Sequence, residues 1–98
     1  MNRITNEMLR GVAATYLEMA VRVGLLDQAQ ASQYRVRIEP YVAIELDRPD
    51  PERVGMDLGD APGFEGWSGR WSSKREAYYA MATGIKVLAA VERQARGY

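Results

Sequence analysis

Large aromatic side chains and glycines alternate in residues 63–71, and this segment constrains the fold more than any other part of the chain. Phe64, Trp67 and Trp71 are spaced by Gly66 and Gly69. Glycine loses more conformational freedom on folding than other residues, so such a segment is costly to order. Its apolar rings must therefore either be buried against the rest of the protein or be held on the surface for a partner.

Two stretches on either side of this segment predict long amphipathic helices. The first covers about 5–23, with Thr5 as its N-cap and Gly24 as its stop. The second covers about 74–95 and begins with the capping-box pattern of Ser73 and Glu76. Both apolar stripes contain small residues, which favours close antiparallel packing of the two helices. These small residues are Ala13, Ala20, Ala77, Gly84 and Ala95.

The segment between these helices supports two predictions. Asp27 followed by Gln30 predicts a helix start, and we expect this helix to run from 28 to about 39 and to break at Pro40. Against this, the apolar residues of 34–46 fall mainly on even positions, which is typical of a strand, although Pro40 in their middle disfavours a central strand. These even positions hold Tyr34, Val36, Ile38, Val42, Ile44 and Leu46.

We therefore predict a mainly α-helical fold. It consists of two long antiparallel helices, at about 5–23 and 74–95, with a shorter interrupted element between them and an aromatic/glycine loop. The alternative is an α+β fold with strands within 34–47. A length of 98 residues suits a single small domain covering 1–98, in which the Pro/Gly-rich loop at 48–72 is expected to be mobile.

The composition argues against an enzyme and against a metal or cofactor site. The chain has no cysteine and no histidine, which excludes disulfides, zinc sites of the usual kind, thiol nucleophiles and histidine general bases. An EF-hand counted from Asp50 fails, because Val54 and Ala61 occupy positions that need oxygen ligands. Ser73 beside Lys74 is explained by its capping role.

The candidate contact residues lie in and directly after the aromatic/glycine loop. Trp and Arg are enriched among the residues that dominate protein interfaces, and here both types occur together with tyrosine. Adjacent residues of a helix point about 100° apart, so Tyr78 and Tyr79 cannot share one narrow face. Burial of the rings over a small core is the competing explanation. The candidates are Phe64, Trp67, Arg70, Trp71, Lys74, Arg75, Tyr78 and Tyr79.

The charge distribution favours association with protein over a dedicated role on nucleic acid. The net charge is zero, although residues 27–60 carry −4 and residues 61–98 carry +3. We therefore expect a non-catalytic protein–protein interaction module, an accessory or inhibitory protein that forms a homo-oligomer through its aromatic loop. The alternative is a nucleotide or single-stranded nucleic-acid binding protein that uses the same aromatic and basic residues. Without a membrane-length apolar run or a secretion signal, a cytoplasmic location is expected.

Overall fold

The computed structural model describes residues 3–46 and 70–97, which form an α+β fold. Three antiparallel strands make one sheet in the order β1-β2-β3. The elements in chain order are α1 (Asn6–Arg22), α2 (Gln28–Ala31), β1 (Tyr34–Arg37), β2 (Val42–Leu46), β3 (Arg70–Trp71) and α3 (Lys74–Ala95).

Both long helices begin and end close to where the sequence predicts. The Thr5 hydroxyl oxygen accepts a hydrogen bond from the Met8 amide at 3.1 Å, and Gly24 has the positive φ of 87° that ends the helical path. At the start of α3 the Ser73 hydroxyl oxygen accepts from the Glu76 amide at 3.1 Å. The Glu76 carboxylate does not complete the expected capping box, because it accepts a hydrogen bond from the Ser72 hydroxyl at 2.7 Å.

The prediction of a helix from 28 to about 39 is wrong beyond its first turn. Asp27 and Gln30 form the expected reciprocal capping box, with bonds of 2.7 and 2.9 Å, but α2 ends at Ala31. A helix continuing through 39 would leave Val36 outside its apolar face, whereas a strand places it on the core side. The two-residue period of the apolar side chains therefore prevails over the helix propensity of the segment.

The mainly α-helical prediction is corrected to α+β, and the strands within 34–47 are confirmed. Val36 pairs with Ile44 across β1 and β2, and Val42 pairs with Trp71 across β2 and β3. Pro40, which argued against a strand, lies in the connection between β1 and β2, where it removes no hydrogen bond from the ladder. The Glu39–Pro40 peptide bond is cis.

The core lies between the helix pair and one face of the sheet. Four of the five small residues predicted on the two stripes, Ala13 and Ala20 of α1 and Ala77 and Gly84 of α3, are buried as expected for closely packed helices, whereas Ala95 is exposed. The larger buried side chains come from both helices, from the turn after α1 and from the sheet. They are Leu9, Tyr16, Met19, Leu26, Val42, Ile44, Trp71, Met81 and Leu88.

The predicted antiparallel arrangement of the long helices is wrong. Arg22, the last residue of α1, forms an ion pair with Glu92 near the end of α3, with Nε to Oε2 at 2.9 Å and Nη2 to Oε1 at 3.0 Å. The C-terminal ends of both helices therefore lie together, whereas an antiparallel pair would place Arg22 beside the start of α3. The prediction assumed a simple return of the chain and did not take into account the three strands that lie between α1 and α3 in sequence.

Candidate functional site

The structure places six of the eight predicted contact residues. Phe64 and Trp67 lie outside the described residues. Trp71 is on β3, where it is 2% exposed and belongs to the core. Its burial follows from strand alternation, because Trp71 pairs directly with the inward-facing Val42. The competing explanation, a ring that covers the core, therefore applies to Trp71, and this residue is no longer part of the candidate surface.

Tyr79 forms the exposed part of a small aromatic and cationic cluster at the start of α3. Its side chain is 53% exposed, whereas Tyr78 is half-buried at the edge of the core. The two rings meet edge to face with 5.9 Å between centroids, and the Arg75 guanidinium carbon lies 5.7 Å from the centre of the Tyr79 ring. Lys74, one residue earlier, is partly exposed. These contacts hold Tyr79 in an ordered position while leaving half of its surface accessible.

Arg70 lies on the opposite face of the sheet from Trp71. Its guanidinium stacks on the ring of Tyr41, with 4.4 Å from the guanidinium carbon to the ring centre, a geometry typical of a cation–π pair. Tyr41 precedes β2 and was not among the predicted residues. Its odd position, which it shares with Ala43 and Glu45, is the signal that could have assigned it to the outer face.

The other side chains on the same face of the sheet as Arg70 are mainly arginines. Arg35 and Arg37 on β1 both approach Glu45 on β2, with an Nη2 to Oε1 distance of 3.9 Å for Arg35 and a hydrogen bond from Nε for Arg37. This hydrogen bond, together with the charge of Glu45, raises the pKa of Arg37 above its ordinary value. We name the residues Arg35, Arg37, Tyr41, Ala43, Glu45 and Arg70 the outer sheet face.

The solvent side of α3 carries most of the exposed apolar surface. Among the described residues, four large hydrophobic side chains are exposed: Leu25 in the turn after α1, and Tyr79, Val87 and Val91 on α3. At 100° per residue the three on α3 fall within an arc of about 120°. We name this side, with Thr83 between Tyr79 and Val87, the α3 outer face.

The described residues contain neither a cluster for a metal ion nor a helix that could span a membrane. Within 3–46 and 70–97, no three acidic side chains come together in a way that could hold a metal ion. Over the same ranges, neither long helix has the length and apolar character needed to cross a bilayer.

Comparison with known proteins supplies no relative for this chain. No family model matches it, and no curated protein or solved structure is significantly similar to it. The outer sheet face and the α3 outer face are therefore the features from which a function can be inferred.

Proposed function

We propose that this protein is a non-catalytic interaction module that self-associates through the α3 outer face. The observation that supports the proposal is the position of Tyr79, Val87 and Val91, which account for three of the four exposed large hydrophobic side chains among the described residues. Apolar side chains gathered on one helix face are typical of a contact surface, whereas scattered ones need no explanation.

The spacing of these residues suits a two-fold symmetric contact between two copies. If two α3 helices cross antiparallel about an axis near Ile85, Tyr79 of one copy meets Val91 of the second copy, and Thr83 meets Val87. Each copy then provides the same patch, as symmetric dimers require. Arg75 lies toward one end of the face, and Lys86 lies at its side near the axis, about 20° around the helix from Tyr79, where its long side chain can reach solvent.

The size of the face sets the expected affinity. The 22 residues of α3 form a helix about 33 Å long. One helix face of this length and about 10 Å in width offers roughly 350 Å², compared with the ~800 Å² per partner of a stable interface. Self-association through α3 alone is therefore expected to be weak, with a Kd in the micromolar range or above.

Sedimentation equilibrium of the full chain tests this proposal directly. The wild-type protein should dimerise with increasing concentration, and Val87→Glu or Tyr79→Glu should raise the dissociation constant at least tenfold, because a carboxylate would be desolvated at the contact. Leu25→Glu is the matched control, since it places the same charge on an exposed leucine away from α3. A wild-type chain that stays monomeric at about millimolar concentration, or dimers unaffected by both α3 substitutions, would refute the proposal.

Salt separates this proposal from nucleic-acid binding at the start of α3. An apolar contact between copies should persist from about 50 to 500 mM salt, whereas binding of phosphates by Arg70, Lys74 and Arg75 should weaken steeply. The nucleic-acid alternative at this segment has less support than the sequence suggested, because Trp71 is buried and cannot stack on a base.

A further inference from the structure

We propose that the outer sheet face binds single-stranded nucleic acid, with its arginines on the phosphates and Tyr41 beside a base. This surface differs from the α3 outer face, so the proposal is independent of self-association. The first supporting observation is charge. Among the described residues, three arginines and one acid, Glu45, are the charged side chains of this face, which gives these residues an excess of positive charge although the chain as a whole is neutral.

The strand register arranges two of these arginines around a small residue. Arg37 and Arg70 are both direct cross-strand partners of Ala43, on opposite sides of β2. Neighbouring strands are about 4.8 Å apart, so the two arginine backbones are separated by about 10 Å with a methyl group between them. Ala43 itself is buried, so an oxyanion would lie in front of the side chains that cover it, within reach of the exposed Arg70 and of Arg37.

Both arginines keep donors for such an anion. Only the Nε of Arg37 is used by Glu45 among the described contacts, and the side chain is 37% exposed. Arg70 contacts the ring of Tyr41, a stacked arrangement that leaves the edge of its guanidinium open to solvent. Guanidinium edges bind phosphate in a bidentate manner, which lysine cannot do.

The absence of an apolar centre favours nucleic acid over an acidic protein as the ligand. Protein interfaces depend on a desolvated apolar core, and Tyr41 is the only large side chain with apolar surface on this face. Ala43 is 3% exposed and adds almost nothing. An arginine next to an aromatic ring is instead the combination that binds single strands, in which phosphates meet cations and bases stack on rings.

The test measures fluorescence anisotropy of a labelled oligothymidylate of about 12 nucleotides titrated with the full chain. With phosphate contacts from Arg37 and Arg70, the affinity should fall about sevenfold between 50 and 200 mM salt. Arg37→Gln or Arg70→Gln should reduce this fall to about 2.6-fold, because one contact is lost. Tyr41→Leu should weaken binding at least fivefold with the salt dependence largely kept, since it removes the ring beside the base and the surface under the Arg70 guanidinium but no charge.

Two controls make the result specific to this face. Arg10→Gln removes the same charge from an exposed position on α1 and should leave binding unchanged. Arg37→Lys keeps the charge and should retain the wild-type salt dependence, which guards against misinterpreting a poorly folded Arg37→Gln.

Three outcomes would overturn the proposal. The first is no binding at low salt. The second is an Arg10→Gln effect as large as that of the Arg70→Gln substitution, which would indicate attraction by overall charge. The third is equal affinity for a labelled polyglutamate of matched charge, which would make an acidic protein the ligand. Each of these results leaves the sedimentation experiment unaffected, because the α3 outer face contributes no residue to this surface.

Discussion

Removing Arg22 should destabilise the protein more than removing its ion-pair partner Glu92. The reason is the meeting of the two helix C-termini. Each C-terminus carries about half a negative charge from aligned peptide dipoles, and Glu92 lies beside both ends with its side chain only 16% exposed. Arg22 binds this carboxylate through two nitrogens, and Arg96 approaches it at 3.6 Å.

Arg22→Met and Glu92→Gln should lower the free energy of unfolding by different amounts. Arg22→Met loses the ion pair, about 1 kcal/mol at this exposure, and also the attraction of Arg22 to two negative helix ends, each worth about 0.3–1 kcal/mol. The sum is about 1.6–3 kcal/mol. Glu92→Gln loses the same pair, but Arg22 then retains its attraction to the helix ends, so the cost should be only about 0.5 kcal/mol.

Urea denaturation of the two single variants and the double variant measures these terms. The coupling between the two sites should be about 0.5–1.5 kcal/mol and should shrink in about 0.5 M salt. The difference of at least about 1 kcal/mol between the single variants corresponds to a difference of at least about 4–8 °C in Tm for a domain of this size. A cost for Glu92→Gln equal to or above that of Arg22→Met, or zero coupling, would contradict the arrangement of the helix ends.

Two further predictions concern stability and are tested by the same denaturation assay. Gly11→Ala should stabilise the protein by up to about 1 kcal/mol, because Gly11 lies inside α1 and an added Cβ would have nothing within 4 Å. Gly24→Ala should destabilise it by about 1–2 kcal/mol, because the φ of 87° at Gly24 disfavours a side chain. Opposite signs for the two are expected, and equal signs would contradict the backbone geometry. Trp71→Ala should cost about 3–5 kcal/mol and Tyr79→Ala no more than about 0.5 kcal/mol, since only Trp71 is buried. Similar costs for the two would show that Trp71 is not in the core.

The helix ends could be predicted because their determinants are local. Thr5, Asp27 and Ser73 each cap a helix through an amide three residues away, and such bonds depend only on neighbouring sequence. Gly24 ends α1 for the same kind of reason. Features decided within one turn of chain are visible in one sequence.

The sheet was harder to predict because it depends on where Pro40 falls relative to a turn. A proline between two strands is harmless, while a proline within a strand removes a hydrogen bond, and the residue pattern alone does not distinguish these cases. The direction of α3 relative to α1 was also out of reach. It depends on how the chain between the helices pairs into a sheet, and β3, at two residues, is too short to show any period.

In the candidate site, too, features fixed by local sequence could be predicted, whereas features fixed by contacts between distant residues could not. Alternation along β3 places Arg70 outward and Trp71 inward, but that alternation becomes visible only once Val42 is known to be the neighbour of Trp71. Tyr41 was missed because its contact with Arg70 joins residues far apart in sequence. The divergence of Tyr78 and Tyr79, by contrast, follows from helix geometry and was predictable.

The order of the elements along the chain has a consequence for biosynthesis. Leu9 and Tyr16 on α1 emerge from a ribosome before Trp71, Met81 and Leu88, which the core that encloses them also needs. Until those later residues emerge, the nascent polypeptide displays an uncovered apolar helix, the condition in which chains aggregate most readily. Productive folding of α1 therefore waits for the synthesis of α3, and fragments that stop before α3 should accumulate as insoluble material.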